Sequence, residues 1–134
     1  MPANTTSNAI QSLVDLAPTF LSLCGLPIPK KMTGVDQSQV WMGMKSSARD
    51  HAICEFRHTE TTIHQKTYVD QRYKITVYYN QSYGEIFDLQ QDPKELRNLW
   101  DDPAYAVLKS ELLLKYIWAE LGKEAVPMPR ISGA

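Results

Sequence analysis

Long hydrophobic runs are missing from this chain of 134 residues, and with them any segment approaching the roughly 18 apolar residues that a membrane-spanning helix needs. An excess of charge of one sign is missing too. Fourteen Lys and Arg stand against 15 Asp and Glu, so there is no broad basic field of the kind that phosphate contacts demand, and nucleic acid is excluded as a partner. Glycines are few and form no phosphate-cradling loop, and His-Glu-x-x-His, Gly-x-Ser-x-Gly and Cys-x-x-Cys do not occur. The two cysteines, Cys24 and Cys54, each sit in an apolar context (Leu-Ser-Leu-Cys-Gly and Ala-Ile-Cys-Glu-Phe), which predicts two small buried hydrophobes rather than a disulfide. The N-terminal Met-Pro-Ala-Asn-Thr-Thr-Ser has neither the basic nor the apolar region of a signal peptide, which points to the cytoplasm. The length suits one domain and falls short of most complete catalytic α/β folds.

What is present is well punctuated. Asp15 precedes Leu-Ala-Pro-Thr-Phe-Leu-Ser-Leu-Cys-Gly, predicting a short helix over 16–24 that starts on an Asp15 cap and tolerates Pro18 in its first turn. Leu16, Phe20, Leu23 and Cys24 share one face, Gly25 is placed to end the helix, and Pro27 and Pro29 stop it continuing. Residues 30–50 show no sustained period and read as a surface connection anchored by Trp41. Between 51 and 89 the period becomes two, with strands predicted over 51–56, 61–69, 73–79 and 85–89 joined by short polar turns, hence an antiparallel meander. Asp92-Pro93 and Asp102-Pro103 both have the form of helix starts. The first predicts a helical turn reaching Leu99. The second opens a long helix to about Leu121 with Gly122 as its stop. Tyr105, Leu108, Leu112 and Tyr116 make one apolar face of that helix, and Val107, Leu114, Trp118 and Leu121 make another that needs a second partner. Residues 124–134, with Pro127 and Pro129, read as an extended tail. The fold class is therefore α+β, a four-stranded antiparallel sheet packed on a long C-terminal helix.

The densest polar run is 55–64. Kept extended, it brings His58, Glu60 and His64 to one face as a two-His, one-carboxylate metal site; the alternative is a turn with solvated side chains. Arg57 and His58 are the candidates for holding an anionic ligand, Arg by its planar fork and His by a donor near neutral pH, against ordinary surface pairing with Glu55 or Glu60. Tyr68, Tyr73, Tyr78, Tyr79 and Tyr83 suit cross-strand packing better than a stacking platform. Asp92 and Asp102 are better read as caps than as catalytic carboxylates.

Ser12-Leu-Val-Asp-Leu-Ala-Pro-Thr-Phe-Leu, then Cys-Gly-Leu-Pro-Ile-Pro, Arg72-Tyr-Lys-Ile, Gly84-Glu-Ile-Phe-Asp-Leu-Gln-Gln-Asp-Pro-Lys-Glu and Asn98-Leu-Trp-Asp-Asp-Pro occur in an order that resembles the C-terminal portion of sulfatases, the arylsulfatase-like branch of the alkaline phosphatase superfamily. The resemblance implies that residues 1–35 end a catalytic α/β domain, that 36–50 connect, and that 51–123 form the smaller C-terminal subdomain. It implies sulfate ester hydrolysis by a formylglycine made within Cys/Ser-x-Pro-x-Arg, with a calcium or magnesium ion. Cys24 begins Cys-Gly-Leu-Pro and Cys54 begins Cys-Glu-Phe-Arg, so neither fits that motif. The expectation is thus a chain with no catalytic or metal residue of its own and no cofactor, inactive alone, whose partner is a sulfatase catalytic domain or, in its absence, a second copy. Arg57 and His58 would contact a sulfated small molecule. The competing reading is a free-standing module of the same fold that binds an anionic or sulfated ligand.

Overall fold

A computed structural model describes residues 4–58 and 63–123. Strands β1 (His51–Arg57), β2 (His64–Asp70), β3 (Tyr73–Tyr78) and β4 (Gly84–Asp88) pair antiparallel in chain order, as the alternation predicts. The β2–β3 turn is tied by Asp70, whose carboxylate accepts from the N–H groups of Arg72 at 2.9 Å and Tyr73 at 2.7 Å. The expected start of β2 at 61 and the metal candidate Glu60 lie outside the described residues, as does the tail.

One face of the sheet is apolar at its β4 end. Ile75 stands opposite both Tyr68 and Ile86 in the register, and Ile75, Ile86 and Leu112 are fully buried. Leu112 and Ala119 come from the long helix, joined in the core by Leu99 and Trp100. Asp102 caps the helix as expected, accepting from the Ala104 N–H at 3.0 Å. A 3-10 turn (Pro103–Tyr105) then leads into the long helix, Ala106–Lys123. Gly122 does not stop it: the helix runs through Gly122 to Lys123.

The first Asp-Pro pair behaves differently. No helical turn forms after Asp92, because Glu95 takes a left-handed φ of 55° and the Asp92 carboxylate accepts from the more distant Arg97 N–H at 2.8 Å. The carboxylate of Glu95 pairs with Lys74 instead of closing a capping box. The segment then runs along β4. Asn98 receives the Ile86 N–H and donates to the Gly84 carbonyl, both at 2.9 Å, and Leu99 N–H reaches the Ile86 carbonyl at 2.9 Å. Trp100 lies against Gly84, where a Cβ would come within 2.6 Å of the indole. Only glycine fits there.

The N-terminal part is assembled on polar atoms. Helix α1 (Leu16–Leu23) forms where expected, and Gly25 at φ 68° closes it with paired bonds from Gly25 N–H to Ser22 and from Leu26 N–H to Leu21. Asp15, however, does not cap α1 with its side chain. It ends a 3-10 turn (Leu13–Asp15) and is wholly buried. Its carboxylate accepts from Ser12 N–H (2.9 Å), Val35 N–H (2.9 Å), Gln37 Nε2 (3.1 Å) and Arg49 Nη1 (3.1 Å). The connection read as irregular contains a short helix, α2 (Ser38–Trp41), because Gln37 is drawn into the same cluster and its N–H donates to Thr19 Oγ1 at 2.9 Å. With Ala106–Lys123 designated α3, the element order is complete. Both cysteines are exposed, contrary to the sequence reading: Cys24 follows the outward face of α1, and Cys54 lies on the sheet face away from α3. Among the described residues no helix is long and apolar enough to cross a membrane.

Candidate functional site

The sheet outruns α3. On the helix-facing side the cross-strand pairs run from Ile53 and Tyr68, under the helix, to Glu55 and Lys66 and then Arg57 and His64 beyond it. The face turns from apolar to charged within two registers. Lys66 bridges to the helix, with Nζ 2.6 Å from Glu120 and 3.7 Å from Glu55. His64 Nε2 lies 3.2 Å from Arg57 Nη2 and 3.3 Å from Glu55 Oε1. When neutral it can accept from the guanidinium; when protonated it donates to the carboxylate. Tyr79 sits beside the His64 ring, 5.9 Å between centroids. A small hollow of about 210 Å³ opens between His64, Lys66, Val77, Tyr78, Tyr79 and Tyr116.

These charges are fixed. Desolvation pushes the Glu55 carboxyl up, but Lys66, His64 and Arg57 together outweigh it and hold the group below its usual range. Desolvation likewise raises Glu120, and its bonds from Lys66 and Lys123 bring it below normal. Lys66 is raised above its ordinary value, chiefly by its bond to Glu120. Carboxylates and ammonium are therefore both charged across the neutral range. The arrangement is suited to holding a charged ligand; among these three, none is tuned for proton transfer near neutrality.

Arg57 and His58 are not brought together. Adjacent residues on a strand point to opposite faces, so Arg57 joins Glu55 and His64. The His58 ring lies 6.3 Å from Phe56 on the other side, and its N–H reaches the Ile63 carbonyl at 3.2 Å. His64 and His58 do not converge on a metal either. Among the described residues, which leave out Glu60, no group of three His, Cys, Asp or Glu could hold an ion. The sequence reading missed Lys66, Tyr116 and Glu120. The Glu55–Lys66 pairing was recoverable by counting back from the 70–72 turn, whereas the reach of Glu120 depends on how α3 crosses the sheet.

A larger cleft, about 530 Å³, lies at the opposite end of β1, lined by Arg49, His51, Asp70, Lys115 and Trp118 among others. Its charges are already paired. Asp50 holds His51 at 2.6 Å, Asp70 lies 3.6 Å from Lys115, and Arg49 is committed to Asp15.

Comparison with known proteins agrees with this architecture. The family model described as N-sulphoglucosamine sulphohydrolase, C-terminal, matches residues 1–120. A Delta 4,5-hexuronate-2-O-sulfatase of Bacteroides thetaiotaomicron is 29% identical over 104 residues, covering 75% of this chain and 22% of the relative. An N-acetylglucosamine-6-O-sulfatase of the same organism is 28% identical over 118 residues, covering 83% and 21%. The chain thus spans about a fifth of the length of these curated relatives. Among solved structures, a protein in complex with its substrate D-glucosamine-2-N,6-O-disulfate superposes with a TM-score of 0.73 at 22% identity, over 81% of this chain and 24% of that one. The phosphonate monoester hydrolase of Agrobacterium radiobacter superposes at 0.69 and 22% identity, over 82% and 25%. At such identities the superpositions establish the fold. With the family match covering most of the chain, the conclusion is that it belongs to the N-sulphoglucosamine sulphohydrolase C-terminal family and has the fold of a sulfatase C-terminal region.

Proposed function

We propose that this chain serves as the C-terminal subdomain of a sulfuric ester hydrolase, inactive alone, with the formylglycine and the calcium or magnesium ion supplied by the rest of such an enzyme. The observation that carries the reading is the family match over residues 1–120. It is supported by the outward apolar face of α1, where Leu16, Phe20 and Leu23 are exposed and suited to packing on a catalytic α/β domain. The charged end of the sheet would contribute substrate contacts, Arg57 and His64 meeting a sulfate or carboxylate from one side and His58 from the other.

Two measurements test this. With a chromogenic aryl sulfate and calcium, the chain alone should give no turnover; turnover would overturn the assignment of chemistry to the rest of the enzyme. In calorimetry, a sulfated glucosamine should bind weakly, and the combined Arg57→Ala and His58→Ala variant should abolish binding. Undiminished binding by that variant would remove the two residues from the site. Tight, specific binding by the chain alone would favour a free-standing anion-binding module.

A further inference from the structure

We propose that the cleft at the start of β1 binds an uncharged, polyhydroxylated ring, a neutral sugar, stacked on Trp118 and hydrogen-bonded to Asp70 and Lys115. This does not rest on the function proposed above.

One wall of the cleft is a flank of α3. Lys115, Trp118 and Gly122 follow one another at steps of three and four, so they stand in a row on the helix, and all three line the cleft. Trp118 is 61% exposed, an uncommon state for a side chain with so much apolar surface. Gly122 keeps it so. Helical side chains lean back over the preceding turn, so a longer residue at 122 would lie across the Trp118 indole. Apart from its chain neighbours and the backbone of its own helix, a Cβ at Gly122 would meet no atom of the described residues within 4 Å. Close packing therefore does not require glycine here, and the helical backbone disfavours it. What the absent side chain leaves is an open aromatic face.

The polar groups select an uncharged ligand. Asp70 commits Oδ1 to the turn N–H groups of Arg72 and Tyr73, which leaves Oδ2 3.5 Å from the Tyr68 hydroxyl and 3.6 Å from Lys115 Nζ. Those separations are longer than good hydrogen bonds, so the carboxylate and the ammonium both keep unused capacity. A hydroxyl accepts from the one and donates to the other, and adjacent hydroxyls on a ring repeat the pattern. An anion would meet Asp50 and Asp70, and a cation would have to displace Lys115. The other cations of the cleft, Arg49 and Lys123, are held by Asp15 and Glu120. The His51 ring, stacked on Tyr68 at 5.3 Å between centroids and held by Asp50, adds a second fixed aromatic surface. At about 530 Å³ the cleft falls within the range of small-molecule sites, about 300–1,000 Å³.

The test is a titration of the whole chain with cellobiose, lactose and N,N′-diacetylchitobiose, all uncharged, followed by the indole N–H resonances of isotope-labelled protein. At least one sugar should saturate, with a dissociation constant on the order of 0.1–1 mM, and should shift the Trp118 resonance. Trp118→Ala, at an exposed position, should keep its circular dichroism and weaken binding at least about tenfold. Gly122→Leu should do the same by covering the indole, whereas Gly122→Ala, too short to reach it, should bind within about twofold of the unaltered chain. Lys115→Met should weaken binding by about tenfold, the worth of one charge-assisted hydrogen bond. Raising salt from about 0.05 to about 0.5 M should leave the affinity unchanged. No saturable shift with any of the sugars overturns the inference. So does binding that survives Trp118→Ala or Gly122→Leu, which would place the sugar elsewhere. Displacement by inorganic sulfate, or an affinity that falls with salt, overturns it as well, since either would make the cleft an anion site.

Discussion

Residues 51–123 and residues 10–50 are stabilised in opposite ways. The later region buries Ile75, Ile86, Leu99, Trp100 and Leu112 and keeps its ion pairs towards the rim. The earlier region buries Asp15, Thr19, Gln37 and Ser38 and turns Leu13, Val14, Phe20, Leu23 and Leu26 outward. The first is an ordinary core and folds by removing apolar surface from water. The second is inside-out: its centre is a carboxylate with four donors, and its apolar side chains face outward. A shared chain can thus hold one segment in place by specific polar bonds while leaving that segment's hydrophobic side chains exposed.

The contrast can be broken by substitution, and the largest effect belongs to the apolar core. Leu112→Ala should cost about 2–5 kcal/mol, seen as a lowered urea midpoint with loss of amide protection in all four strands. Asp15→Ala comes next. It strands the Gln37 amide and the Arg49 guanidinium and should cost about 3–5 kcal/mol, but only within residues 12–38. Hydrogen exchange should speed there while Ile75 and Ile86 stay protected. If the strands open as well, the two regions form one cooperative unit and the distinction fails.

Gly34→Ala probes the same boundary from the backbone. A Cβ there would lie 2.0 Å from the Val14 carbonyl oxygen, and a backbone atom cannot turn aside. A loss of about 1–3 kcal/mol, again confined to the earlier region, is the expected result of the same exchange experiment.

A smaller effect is set by pH. Burial pushes the Asp88 carboxyl up, but the Arg72 guanidinium and the Gln91 and Gln90 N–H groups outweigh it and hold it below its ordinary value. A depressed carboxyl adds stability that is complete above its unfolded value, about 4, and is lost as pH falls through the lower folded value. The urea midpoint should therefore fall on acidification below about pH 4, and Asp88→Asn should flatten part of that slope. An unchanged slope would show that Asp88 titrates alike in both states. Least of all, Arg57→Ala should move stability by no more than about 0.5 kcal/mol, since the side chain is exposed; a larger shift would make it structural rather than a binding residue.

Most of the fold was legible because the signals were local. Alternation placed the four strands, Gly25 ended α1, and the Asp102-Pro103 pair opened the long helix. Asp92-Pro93 misled because the same dipeptide served a loop whose course is decided by Asn98 pairing with β4, a contact made 12 and 14 residues away. Asp15 misled for a similar reason: its donors at Val35, Gln37 and Arg49 are distant in sequence, so only the nearest of its roles, a helix start, could be read locally. The candidate site was half legible. Arg57, a candidate for holding an anion, lies at the charged end of the sheet, but strand alternation itself argued against grouping it with His58, and Glu120 could be found only once α3 was placed.

The bonding of Asn98 and Leu99 to β4 also decides how this sheet can grow. An open edge is a template for another strand, and on the β4 side that template is already written over by the chain's own backbone and one amide side chain. Beyond β1 no described residue completes the ladder. Propagation requires two exposed edges, one to receive and one to pass on. Among the described residues only the β1 edge is open, so strand addition between copies through it would terminate at a pair, a limit set by topology rather than by charge.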